Sequence, residues 1–95
     1  MKTEIGIPKM GVVITCHNER EERMVSHFLI HLDIAASIYA DDGDYDAMRR
    51  RRDCMSGELA AMLWLGLMSM DDEVTAKCEL TRVIKEMAMD YSREA

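Results

Sequence analysis

Apolar residues recur three and four positions apart in the segment 24–39, and this spacing constrains the fold more than any other feature of the chain. The residues that share the spacing are Met24, Val25, Phe28, Leu29, Leu32, Ala35, Ala36 and Tyr39. Such a period places apolar side chains along one face of an α-helix. A second row, four residues apart, consists of Ile30, Ile34 and Ile38. We therefore predict a helix over residues 18–40, with Asn18 as its N-cap and more than one neighbour against its apolar face.

The same reasoning predicts two further helices, over residues 45–69 and 71–92. Asp44 can cap the second helix, and acidic residues open the third, where they complement the positive end of the helix dipole. The connection between these helices is short, which predicts antiparallel packing. A chain of 95 residues forms one domain at most. The expected fold class is all-α: a three-helix antiparallel bundle formed by residues 18–95.

Residues 1–17 differ from the rest of the chain. Gly6, Pro8 and Gly11 would interrupt a helix there, and residues 12–16 form a short, mostly β-branched run. A strand at this place has no evident partner within the chain, so it would pair across a dimer or pack as coil. We therefore expect residues 1–17 to form an extended N-terminal arm.

The second half of the second predicted helix, residues 59–68, is apolar on all sides. This run is too short to span a bilayer, and a three-helix monomer cannot easily cover every side of it. The sequence therefore predicts a homo-oligomer, most simply a homodimer. The residues predicted at the oligomer interface are Leu59, Met62, Leu63 and Leu67.

The charge of the chain narrows the classes of partner. It carries 18 acidic and 12 basic residues, for a net charge of −6. This balance disfavours nucleic acid and anionic membranes as partners. The three cysteines are an odd number without close spacing, which is typical of a reducing compartment rather than of a disulfide framework. With neither a signal peptide nor a membrane-spanning run evident, we expect a cytoplasmic protein.

Four consecutive arginines, Arg49–Arg52, form a basic spot in this acidic chain. Guanidinium groups bind phosphate and carboxylate groups bidentately. On a helix, however, four successive side chains point around most of the circumference, and neighbouring aspartates can pair with some of them. Three interpretations stay open: a partly ion-paired helix start, a protein-binding anchor, and a nucleic-acid or nucleotide site.

Two patterns suggest metal ligands without completing a site. His27 and His31 have the helical spacing of paired metal ligands, but a site needs further ligands and such a pair more often borders a core face. The segment 42–46 resembles the start of a calcium loop, but Ala47 stands where glycine is required and Asp53 where glutamate is expected. We therefore predict no metal site and no cofactor.

No hydrolase, phosphate-loop, dinucleotide-binding or catalytic-cysteine motif occurs, so we expect no enzyme and no catalytic residues. The leading interpretation is a non-enzymatic adaptor or inhibitor that docks onto a larger host complex, as phage-encoded inhibitors of a host nuclease or defence system do. Trp64 is either a core residue or an interface anchor. The residues predicted to bind the partner are Arg49, Arg50, Arg51, Arg52, Trp64 and Met68. The alternatives are a nucleic-acid or nucleotide binder that uses the arginines, a self-assembling structural subunit, and a metal-dependent helical enzyme built around the two histidines.

Overall fold

A computed structural model describes residues 2–94. Its elements are β1 (Thr3–Ile7), β2 (Val12–Cys16), α1 (Glu19–Asp42), α2 (Tyr45–Trp64) and α3 (Met70–Glu94). The three predicted helices are confirmed, but a small two-stranded sheet precedes them. Each helix contacts the other two, and the sheet contacts α1 and α3.

The two strands pair antiparallel within one chain, so the expected extended arm is wrong. Ile5 lies opposite Ile14, and Ile7 lies opposite Val12. The inward-facing residues alternate with exposed ones along both strands, as in a sheet with one buried face. The buried residues of the hairpin are Ile7, Val12, Ile14 and Cys16.

The turn explains why sequence reasoning missed the pairing. Gly6 and Pro8 argue against a helix, as predicted, but they do not by themselves indicate a hairpin. Gly6 lies in the first strand and Pro8 in the turn that follows it. Lys9 and Gly11 in this turn have positive φ values of 64° and 70°, which reverse the chain direction within four residues. The strand at residues 12–16 therefore finds its partner immediately upstream.

α1 begins as predicted, at a well-formed N-cap. The Asn18 side chain accepts a hydrogen bond from the backbone N–H of Glu21 at 2.9 Å. The Glu21 carboxylate in turn accepts from the backbone N–H of His17 at 2.8 Å, which satisfies a second free donor at the helix start. The residues of α1 buried in the core are Val25, Phe28, Leu32, Ala35 and Ala36.

α2 ends at Trp64, five residues before its predicted end. Gly66 has a φ of 76°, a left-handed conformation that turns the chain away from the helix axis. The backbone N–H of Leu67 then donates to the carbonyl of Met62 at 2.9 Å. The carbonyl of Leu67 accepts from the N–H of Thr15 in β2 at 3.0 Å, so this loop is fastened to the hairpin.

This early turn corrects the argument for the predicted oligomer interface. Leu59, Met62 and Leu67 are all at most 1% exposed, and Leu63 packs against the same core. These residues would lie on several sides of a longer helix. Because the helix ends before Gly66 and the chain turns there, they all pack onto one core instead. A second copy is therefore not needed to cover these four residues, and the predicted dimer stays a prediction.

α3 begins after Ser69, whose hydroxyl accepts a hydrogen bond from the N–H of Asp72 at 3.1 Å. In its first turn, the buried carboxylate of Glu73 is paired with the ammonium group of Lys77 at 2.6 Å. Such a partner offsets the cost of removing a charge from water. Among residues 2–94, no helix combines the length and the apolar character that crossing a membrane requires.

Candidate binding surface

Two groups of residues predicted to bind a partner lie at different places on α2. The arginines occupy its second and third turns, and Trp64 is its last residue. The fourteen helical steps from Arg50 to Trp64 correspond to about 20 Å along the helix axis. The structure therefore separates the basic residues from the tryptophan.

Trp64 is the most exposed large apolar side chain of the described chain, at 88%. Leu65, which follows it, is 57% exposed. Leu65 also lines a cavity of about 670 Å³ together with Met24 of α1 and the polar residues Asn18, Arg20 and Glu21. We call the exposed Trp64 and Leu65, together with the partly buried Met24 that lines this cavity with Leu65, the tryptophan patch.

The way α2 ends explains why Trp64 and Leu65 are exposed. The N–H of Leu65 still donates to the carbonyl of Ala61, so Trp64 remains helical. The chain then turns at Gly66, which carries Leu67 and Met68 into the core and leaves Trp64 outside. Of the two roles left open for Trp64, the core role is therefore wrong.

Met68 does not belong to the exposed surface. It was predicted to contact a partner, but its side chain is only 8% exposed and joins the core cluster. Its place in the predicted site is taken by Leu65 and Met24, which sequence reasoning missed. The interruption of the apolar run by Gly66 was the available signal, because glycine commonly follows the end of a helix.

The four arginines have different surroundings. Arg49 lies 3.7 Å from the carboxylate of Asp46, and Arg52 lies 3.0 Å from that of Asp53. Arg52 also donates to the hydroxyl of Thr81 in α3 at 3.1 Å. The predicted pairing with neighbouring aspartates is confirmed for these two arginines.

Arg50 and Arg51 instead line a cavity of about 210 Å³ between α1 and α2. The other lining residues are His31, Ala47 and Cys54. We call this cavity the arginine pocket. The sequence did not predict that an α1 histidine and an α2 thiol would lie beside the two arginines.

His27 and His31 both lie against one carboxylate. Oε2 of Glu58 is 2.9 Å from Nδ1 of His31, and Oε1 of the same residue is 3.4 Å from Nε2 of His27. Residues 2–94 contain no group of three or more potential ligands with the geometry to hold a metal ion. Glu58 could not be identified from sequence, because it lies 27 positions beyond His31 on a different helix.

The buried thiol of Cys16 has the properties of a core residue. Burial raises its pKa, and the nearby negative charges of Glu21 and Glu22 raise it further. The thiol therefore stays protonated at neutral pH, whereas a nucleophilic cysteine requires the thiolate. This arrangement favours a structural role for Cys16.

The tryptophan patch presents exposed apolar side chains, and the arginine pocket brings Arg50 and Arg51 beside His31 and Cys54. No protein-family model matches the chain, and neither a curated protein nor a solved structure is detectably similar to it.

Proposed function

We propose that this protein is a non-enzymatic adaptor or inhibitor that docks onto a larger protein through the tryptophan patch. The observation that carries the proposal is the 88% exposure of Trp64. A tryptophan buries roughly 150–250 Å² when it is covered, and tryptophan is enriched among the residues that dominate binding energy. Covering such a side chain with a partner would remove a large apolar area from water, which favours association.

The surroundings of the patch support a protein as the partner. Leu65 and Met24 extend the apolar contact, and Asn18, Arg20 and Glu21 border the same cavity with polar groups. An apolar centre with a polar rim is the usual arrangement of protein interfaces. The net charge of −6 would accelerate association with a basic partner, such as the nucleic-acid channel of a host nuclease or defence complex.

The proposal includes a cytoplasmic location and the predicted antiparallel arrangement of the helices. Two links between α2 and α3 support that arrangement. Arg52 near the start of α2 reaches Thr81, and the ammonium group of Lys85 lies 5.1 Å from the ring centre of Tyr45. Earlier residues of α2 thus meet later residues of α3.

Affinity capture from a bacterial lysate tests the docking proposal. Tagged wild-type protein is compared with Trp64→Ala and with Ile30→Ala, a matched truncation of a 59% exposed apolar side chain on α1. We expect wild type and Ile30→Ala to retain the same protein in fixed proportion, with or without nuclease. Trp64→Ala should bind it at least about 30-fold more weakly, the equivalent of roughly 2 kcal/mol. Equal retention by Trp64→Ala, or capture that nuclease abolishes, would contradict the proposal.

Self-assembly is a second candidate, because two copies that meet through Trp64 would also cover it. Sedimentation velocity over a wide concentration range separates the two functions. A monomer at all concentrations favours a foreign partner. A concentration-dependent dimer that Trp64→Ala abolishes favours the self-assembling subunit instead.

A further inference from the structure

The arginines of α2 divide into an occupied pair and a free pair. Arg49 and Arg52 are engaged by Asp46 and Asp53. Within the described residues 2–94, neither Arg50 nor Arg51 forms an ion pair or a side-chain hydrogen bond. The free pair is also the pair that lines the arginine pocket. Two adjacent guanidinium groups without carboxylate partners, at one cavity, form a region of positive potential in an acidic protein.

His31 completes this region from the opposite helix. Its Nδ1 is held by Glu58 at 2.9 Å, which fixes the orientation of the ring. The side chain is only about a quarter exposed, so the ring has little freedom to move away. Holding one ring nitrogen against a carboxylate leaves Nε2 as the second polar atom of the imidazole.

The size of the pocket suits one small anionic group of a ligand. Liquid water occupies roughly 30 Å³ per molecule, so about 210 Å³ corresponds to about seven waters. This space accommodates one phosphate group and a few further atoms. Its shallow position between two helices leaves the rest of a ligand in solvent.

The directions of the three side chains distinguish between classes of anion. Arg50 and Arg51 leave α2 about 100° apart, and His31 approaches from α1. The two guanidinium groups and, when its imidazole carries both protons, the Nε2–H of His31 supply donors from three directions. Three such donors match the three terminal oxygens of a phosphate monoester better than the two coplanar oxygens of a carboxylate. The net charge of −6 opposes a long polyanion, whereas a small ligand experiences mainly the local field. We propose that the arginine pocket binds the phosphate group of a small phosphorylated molecule through Arg50, Arg51 and His31.

This inference does not depend on the docking function, because the arginine pocket and Trp64 are about 20 Å apart along α2. Titration with inorganic phosphate and with adenosine monophosphate, followed by two-dimensional NMR at constant ionic strength, tests it. We expect saturable shifts of the His31 ring and of the amides of residues 47–54. Sodium acetate and a glutamate-rich peptide serve as carboxylate probes, and should bind at least tenfold more weakly.

Variants connect binding to the free pair. Arg50→Ala with Arg51→Ala should weaken phosphate binding at least tenfold, and Arg50→Lys with Arg51→Lys should weaken it severalfold because the guanidinium forks are lost. Arg49→Ala removes one positive charge from the same helix outside the pocket, and should change the affinity by less than twofold. The lysine variant keeps the charge of α2, so it supplies the measurement if the double alanine variant fails to fold. Trp64→Ala should bind phosphate normally, which separates failure of this proposal from failure of the docking proposal.

Three outcomes would overturn the proposal. An equal loss in Arg49→Ala would show diffuse attraction rather than a pocket. Carboxylate probes that bind as tightly as phosphate would assign the pocket to acidic peptides. An oligonucleotide without a terminal phosphate that binds more tightly than adenosine monophosphate would assign it to a nucleic-acid backbone.

Discussion

At the scale of single residues, identical side chains have different properties because their surroundings differ. Cys16 is 1% exposed, whereas Cys54 and Cys78 are exposed. Similarly, Glu21 is held by hydrogen bonds at the start of α1, whereas the side chain of Glu19, two positions earlier, is exposed to solvent. Both contrasts predict measurable differences in titration and reactivity.

The three thiols should separate into two kinetic classes. With an aromatic disulfide reagent at pH 8, we expect two cysteines to react rapidly and one slowly, because burial protects Cys16 and raises the pKa of its thiol. Addition of urea should release the third thiol. Cys16→Ser should abolish only the slow phase, and rapid reaction of all three thiols in the native protein would contradict the observed burial.

Glu21 should make the stability of the protein depend on pH in the acid range. The backbone N–H of His17, followed by the His17 side chain, lowers the pKa of the Glu21 carboxyl in the folded state. Its stabilising contribution is therefore fully present above the ordinary glutamate pKa and is lost as the pH falls through the lowered folded value. We expect Glu21→Gln to be less stable than wild type at pH 6, with the difference vanishing at the lowest pH. Urea unfolding of both proteins across the same pH series measures this difference, and a difference that stays constant down to the lowest pH would contradict the prediction.

At the scale of elements, short connections decide where each helix ends and how the hairpin is held. The turn of the hairpin is fastened to α3 by two contacts. A guanidinium N–H of Arg82 donates to the carbonyl of Lys9 at 2.8 Å, and the Lys9 ammonium group lies 3.0 Å from Asp90. The Arg82 guanidinium is itself held by Glu79 and Glu86, which raise its pKa. This group of charges positions the hairpin turn on α3.

Loss of Arg82 should therefore loosen the hairpin rather than the helices. In Arg82→Ala, we expect amide hydrogen exchange of residues 8–16 to accelerate severalfold, while the core amides of α1 exchange as in wild type. Arg93→Ala removes an arginine near the end of the same helix, 4.0 Å from Asp90 and without the carbonyl contact, and should leave the hairpin unchanged. Uniform acceleration across the molecule would show that Arg82 acts on global stability instead.

Two glycines of the α2 region should respond to alanine in opposite directions. Gly66 has a φ of 76°, so Gly66→Ala should destabilise the fold by about 1–2 kcal/mol even though the added methyl meets no neighbour. Gly57 lies within α2, where the added methyl also meets nothing, so Gly57→Ala should stabilise by roughly 0.5–1 kcal/mol. Urea unfolding measures both changes. Destabilisation by Gly57→Ala would mean that the helix needs flexibility at this position.

At the scale of the whole molecule, the apolar half of α2 serves two purposes. Leu59 is fully buried in the core, while Trp64, five residues later, is 88% exposed. The core of one chain therefore accounts for Leu59, whereas Trp64 is left on the surface, where it is available for the proposed docking. This division separates the stability of the fold from its proposed docking function.

Stability measurements should reproduce that division. Leu59→Ala should lower the free energy of unfolding by about 2–5 kcal/mol, because it leaves a cavity in the core. Trp64→Ala should change it by less than about 0.5 kcal/mol, as expected of an exposed position. Both values should be independent of protein concentration, since Leu59 is covered within one chain. A concentration-dependent unfolding midpoint in wild type that disappears in Leu59→Ala would restore Leu59 to an oligomer interface.

The three helices could be predicted from the sequence alone, because helical periodicity and capping are local. The buried face of α1 and the N-cap Asn18 follow from residues a few positions apart. The sequence also indicated that neighbouring aspartates could pair with some of the four arginines, and the structure identifies these as Arg49 and Arg52. In contrast, the pairing of β1 with β2 and the hydrogen bond between the loop after Gly66 and Thr15 became evident only from the three-dimensional fold. The fold also decided that Trp64 stays exposed while Leu67 is buried, and that His31 meets Arg50 and Arg51. The burial of a side chain and its contacts with other elements depend on residues that are distant in sequence. The spacing of residues along one helix or strand does not show which elements will pack together.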